Sequence, residues 1–202
     1  MNPLGTPVRR LALALTALLV AACGGSSSTP PTTIDGVLFT AVSVAVGSGT
    51  TSAGAPTNLC SSSGCPMLEL AIANNGRAAC ASDGTLSDPY GWKSSLAVVV
   101  DIYWPSGGAI AAGTYAINSL GGPLVVASVA NNNATCVNAG DTNPILGTVT
   151  IAGVSATSIS GAYNLAVGGS DVTDILTGTF DAAPCSLSAD EAGGETSPPA
   201  CQ

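Results

Sequence analysis

The chain contains no histidine, and only four lysines and arginines stand against twelve aspartates and glutamates. Without imidazole there is no Ser-His or Cys-His nucleophilic pair and no histidine-ligated metal. Without a basic patch there is no electrostatic footprint for phosphate backbones, which excludes nucleic acid as a partner. Aromatic residues make up 4% of the sequence. The most apolar stretch, residues 11–20, is far shorter than the about 20 residues that cross a bilayer as a helix. Helix signals are scarce beyond it. Ala, Leu, Glu and Lys do not combine at 3.6-residue spacing, and 25 glycines and 13 prolines interrupt nearly every window.

The N-terminus has the layout of a secretory signal: Arg9 and Arg10, an apolar core, then small residues. The junction Val20-Ala21-Ala22-Cys23 resembles the bacterial lipobox. That resemblance implies that the Cys23 thiol receives a diacylglyceryl group, that the peptide before it is cleaved, and that the new amine is acylated. Several acyl chains hold a protein on a membrane where one binds only marginally, since each buried CH₂ adds about 0.8 kcal/mol. An ordinary signal peptide followed by a chance cysteine is the competing reading. Arg9-Arg10 also raises twin-arginine export, but its flanks match that signal poorly. Residues 1–22 are therefore expected to be a signal peptide, and 23–33 a lipidated cysteine with a flexible Ser/Thr/Gly/Pro tether. Asp is absent at position 24, which by the same resemblance favours the outer membrane of a double-membrane cell. The expected location is the cell envelope, periplasmic or surface face, with the lipid as the membrane contact and an envelope protein or glycan as partner.

After such cleavage Arg77 and Lys93 face all twelve acidic residues, a net charge of about −10. Six cysteines remain: Cys60, Cys65, Cys80, Cys136, Cys185 and Cys201. An even number in an exported protein predicts up to three disulfides, with fifteen connectivities open. Cys60 and Cys65 enclose a Ser-Ser-Ser-Gly turn and are placed to close on each other. Cys185 and Cys201 are placed to staple the tail to the body, although spacing establishes neither pairing. Zinc fits less well, because the Cys60–Cys65 spacing finds no matching second pair.

Residues 34–185 are the length of one domain, and 186–202 read as an acidic, loosely ordered tail. The body reads as all-β. Apolar runs cover 37–46, 67–72, 96–104, 114–117 and 124–129, then 147–151, 158–167 and 175–180, with a loop expected over 47–58. In residues 158–165 the larger apolar side chains alternate, the period of a half-buried strand. Seven or eight short strands with polar turns predict a disulfide-stapled antiparallel β-sandwich, with a β-barrel second. A β-helix stands third, without a repeat to support it. Ser160-Gly161-Ala162-Tyr163 and Thr177-Gly178-Thr179-Phe180 each set a glycine two residues before an aromatic, which predicts rings packed over cross-strand glycines. This last third, with its Gly-Thr-Val-Thr-Ile and Thr-Gly-Thr-Phe-Asp-Ala-Ala-Pro-Cys stretches, resembles a β-meander ending of bacterial lipoproteins. The likeness implies fold and no activity.

For chemistry, a carboxylate pair is the remaining hydrolytic possibility. Its candidates are Glu69, Asp83, Asp88, Asp101, Asp141, Asp171, Asp174 and Asp181. Most sit where aspartate caps turns through its own side chain. Asp101 lies inside an apolar run, and alternation points it away from Val100 and Ile102. A Ser-Lys arrangement at Lys93-Ser94-Ser95 fails because these neighbours do not face one another. Calcium would draw on Asp83 and Asp88, or on Asp171 and Asp174, but neither loop has the regular ligand spacing. Turn-capping is the favoured reading, and no cofactor is expected. Tyr90 and Trp92, in a loop that also holds Arg77, Asp83 and Asp88, are the candidate binding surface, against the alternative that these rings close the core. Loops 47–64, 76–93 and 131–143 are the places for contact. The sequence thus predicts a non-catalytic structural or binding role. A carbohydrate-binding or adhesive module is the alternative, and a carboxylate hydrolase the distant one.

Overall fold

The computed structural model describes residues 32–34, 37–51, 60, 64–105, 108–119, 122–137, 145–168, 175–187 and 201. The signal peptide, Cys23, the tether up to residue 31, Asp141, Asp171, Asp174 and residues 188–200 lie outside them. Among the described residues eleven strands form, with one 3-10 turn at Pro89–Gly91. They are β1 (Thr32–Ile34), β2 (Val37–Phe39), β3 (Ser43–Thr50), β4 (Pro66–Ala73), β5 (Ser95–Tyr103) and β6 (Gly113–Ala116). β7 (Leu124–Asn132), β8 (Ile145–Val154), β9 (Ile159–Val167), β10 (Ile175–Ala182) and β11 (Cys185–Ser186) complete the set.

Two sheets face each other. One runs β11-β3-β4-β5-β7, the other β10-β9-β8-β6, and β1-β2 is a separate hairpin. Neither sheet closes on itself, so the architecture is a sandwich and not a barrel. Pairing is antiparallel except for β11, which lies parallel to β3. Leu68, Leu70 and Ile72 of β4 and Val98, Val100 and Ile102 of β5 fill the space between the sheets. Val149 and Ile151 of β8, Tyr163 and Leu165 of β9, and Leu176 and Phe180 of β10 meet them from the other side.

The first sheet is covered on both faces, which explains why β4 and β5 read as continuous apolar runs rather than alternating ones. Its outer face presents Ala45, Ala71, Ala73, Ala97 and Ala130, and Ala78, Leu86 and Trp92 from the 74–94 excursion pack onto it. Small residues let that excursion lie close to the sheet. The second sheet leaves its outer face open, with Thr148, Asn164, Thr177 and Asp181 beside the exposed Leu146 and Ile175, so its strands alternate buried and open positions.

Three expectations are corrected. The predicted loop over 47–58 is strand as far as Thr50. Gly47 and Gly49 belong there because a Cβ at Gly47 would lie 2.9 Å from Leu86 Cδ2, and one at Gly49 would lie 3.2 Å from Leu187 Cβ. Bare backbone is what admits these leucines. The body also extends beyond 34–185 at both ends, since Thr32 and Thr33, expected in the tether, pair with Phe39 and Leu38 in β1, Ser186 pairs with Ser48 in β11, and Leu187 packs beside it. Finally, Cys185 bonds Cys80 and Cys201 bonds Cys136, so the Cys185–Cys201 staple does not form. β11 lies against the hairpin in which Cys80 bridges to Leu86 and Thr85 to Ser186, which makes Cys80 the nearer partner. Cys60–Cys65 does close, as the spacing suggested. All six cysteines of the body and tail are paired.

Candidate functional site

The excursion between β4 and β5 is the most heavily built feature outside the sheets. Its entry is held by Asn74, whose N–H donates to the Leu96 carbonyl at 3.0 Å while its Oδ1 accepts from Leu96 N at 3.0 Å. The Ser43 hydroxyl donates to the Asn75 carbonyl and accepts from Ala78 N at 3.1 Å. The Cys80–Cys185 bond fixes the middle. Asp83 Oδ1 accepts from Thr85 N at 2.9 Å and from the Thr85 hydroxyl at 2.6 Å. Those bonds hold the exposed Asp83 carboxyl below the usual carboxylate range. Asp88 caps the 3-10 turn by accepting from Tyr90 N at 2.8 Å. Both aspartates therefore serve turns, the local bond that short acidic side chains form most readily.

The exit is held by the third nominated loop. Asn132 donates to the carbonyls of Pro89 at 2.8 Å and Tyr90 at 3.1 Å, and Ser94 N donates to the Asn133 carbonyl at 2.9 Å. Loops 76–93 and 131–137 thus form one surface, stapled beside Cys136 by the bond to Cys201. Most of the first nominated loop, residues 52–59 and 61–63, lies outside the described residues.

The two candidate aromatics divide. Trp92 is 1% exposed, packs on the alanine face and donates from Nε1 to Ser87 Oγ at 2.7 Å. It is a core residue, which corrects its assignment to the binding surface. A flat alanine face needs large rings to cover it, and the excursion supplies Trp92, fully buried, with Tyr90 partly buried beside it. Tyr90 is half-buried, and its hydroxyl lies 2.5 Å from that of Ser128 on β7. Burial, then the charges of Asp101, Glu69 and Asp88, push its phenol above the usual range, while the Ser128 bond lowers it.

Beside Trp92 lies a recess of about 210 Å³ lined by Arg77, Ala79, Cys80, Ala81, Ser87 and Trp92. Arg77 is exposed at its edge, one of two cations among the described residues. A recess lined by an exposed arginine and by one half of the Cys80–Cys185 disulfide suits a carboxylate or another anionic group of modest size.

A second constellation was not foreseen. Glu69 on β4 and Asp101 on β5 are directly paired across the strands on the outer face. Asp101 does point away from Val100 and Ile102, but toward a covered face, and Glu69 is 4% exposed. Tyr103, two residues along β5, hydrogen-bonds Asp101. Burial, followed by the charges of Asp101 and Glu69, raises its phenol well above the ordinary range. Each carboxylate was visible within an apolar run, but the register that joins them was not. Asp181 lies elsewhere, on β10, where its Oδ1 accepts from Ser158 Oγ. No family model, no curated protein and no solved structure matches this chain.

Proposed function

We propose that the chain is a lipid-anchored protein of the bacterial cell envelope with a non-catalytic binding role, contacting its partner through loop 76–93. The anchor is read from the Val20-Ala21-Ala22-Cys23 junction. The contact surface is read from one observation, the Arg77 recess carried on a disulfide-held excursion. In a chain with so few cations, an exposed arginine at the edge of a recess is the group that an acidic patch on a partner would seek. Function on a rigid β scaffold belongs to loops of this kind.

A carbohydrate-binding module loses support because Trp92 lies in the core and Tyr90 is half-buried with its hydroxyl bonded to Ser128. Among the described residues the Glu69–Asp101 pair is the arrangement that favours a carboxylate hydrolase, but at 4% exposure Glu69 offers no room for a substrate.

Two measurements test the reading. Cys23→Ser is expected to leave the protein unprocessed or released from membranes, and an unmodified Cys23 in membrane-bound wild type would refute the anchor. In-cell crosslinking of the wild type should yield a defined adduct that Arg77→Glu abolishes with the melting temperature unchanged. An adduct insensitive to Arg77→Glu would remove the recess from the contact surface.

A further inference from the structure

We propose that Glu69 and Asp101 form one proton-sharing carboxyl pair that retains a proton at neutral pH, so that the fold loses stability as that proton leaves. Directly opposed residues on antiparallel strands hold their Cβ atoms about 5 Å apart, and like charges so placed repel. Here one of the two groups is 4% exposed, so water screens the repulsion poorly. Burial and a like charge both favour the neutral acid, and a coupled pair gives up its protons in two separated steps.

The groups facing the pair reinforce this. On β5 Tyr103 hydrogen-bonds Asp101, and Tyr90 of the 3-10 turn is subject to the charges of Asp101, Glu69 and Asp88. Neither phenol is cationic at any pH, and Asp88 adds a third negative charge. β3 places Gly47 opposite Glu69, and β7 places Val126 opposite Asp101, so neither strand brings a titrating side chain at the paired position. Arg77 and Lys93, the cations among the described residues, are both exposed. The charges of both carboxyls act on Tyr90, so the pair's second ionisation adds negative charge beside the loop that forms the proposed contact surface.

The sequence makes this unusually easy to observe. With no histidine, and with the six body and tail cysteines in disulfides, no other side chain in its ordinary state titrates between pH 5 and 8. The sign follows from linkage. The pair's upper pKa in the folded state exceeds the values of about 3.9 and 4.3 for the free side chains. Its stabilisation is complete below the unfolded values and is lost as pH rises through the folded one.

The test is the unfolding constant of the full mature chain in denaturant titrations from pH 5 to 8. It should rise with pH, by up to tenfold per unit while the folded pair holds a proton that the unfolded chain has lost. Glu69→Gln should flatten the curve, and Asp181→Asn, on the other sheet, should leave its slope intact. Should Glu69→Gln fail to fold, carboxyl ¹³C shifts of the wild type decide the matter directly. A midpoint at or above pH 7 in Glu69 or Asp101 supports the pair. Midpoints below pH 7 in both carboxyls, or a pH slope unchanged by Glu69→Gln, would overturn it.

Discussion

Gly178 on β10 and Tyr163 on β9 are direct cross-strand partners, and a Cβ at Gly178 would lie 2.5 Å from Tyr163 Cζ. Two positions along the same ladder the arrangement reverses, with Phe180 of β10 over Gly161 of β9 at 2.6 Å from the corresponding Cβ position. Each strand thus supplies one ring and one gap, so the rings fill the inner face of the second sheet without clashing. Gly178→Ala is expected to force the Tyr163 ring aside and to cost about 1–3 kcal/mol, as overpacking does. Gly161→Ala should cost more, because its Cβ would also meet the Thr150 carbonyl, which is backbone. Denaturant midpoints of the two variants check both the magnitude and the order.

Trp92 and Tyr90 should separate on substitution. Trp92→Ala removes a fully buried ring from the alanine face and is expected to cost about 3–5 kcal/mol. Tyr90→Phe removes only the hydroxyl that meets Ser128 and should cost about 1 kcal/mol. Equal and small effects in thermal melts would return Trp92 to the surface.

The disulfides are expected to contribute in the order of the loops they close. Cys80–Cys185 spans 105 residues, Cys136–Cys201 65 and Cys60–Cys65 only 5. Loop closure predicts about 4–5 kcal/mol for the first and about 2 kcal/mol for the last. Paired Cys→Ala variants, unfolded one by one, test the order. Mass mapping of unreduced protein should recover these three pairings and no Cys185–Cys201 peptide.

Alkaline titration addresses the outer face independently. Tyr90 and Tyr103 are both held above the ordinary tyrosine value of about 10, chiefly by burial. Phenolate absorbance of the native protein should therefore lag behind that of the unfolded chain. Since the unfolded chain releases these protons first, the stability they contribute is present below about pH 10 and is lost as pH climbs beyond it. Tyr103→Phe should shrink that lag, and an unchanged curve would mean that Tyr103 is solvated.

What the sequence alone determined were the properties set by local chemistry. Glycine and proline spacing argued against helices in the body, apolar runs located β4 to β10 to within a few residues while merging β2 with part of β3, and two Gly-x-aromatic motifs announced the packing at Gly161 and Gly178. The Ser-Ser-Ser-Gly turn put Cys60 and Cys65 in place to close without establishing the pairing. Asp83 and Asp88 were legible as turn caps because their partners lie two residues away. Tertiary structure decided whatever joins residues distant in sequence. Cys185 sits 16 residues from Cys201 in the chain, yet β11 docks beside the 80–86 hairpin, so Cys80 takes it. Trp92 looked like a loop aromatic, and only the alanine face beneath it makes it core. Glu69 and Asp101 became a pair through the β4–β5 register, in which a shift of one residue would place them on opposite faces. Spacing along a chain records turns and periods, whereas which strand lies beside which follows from how all the apolar faces are buried together.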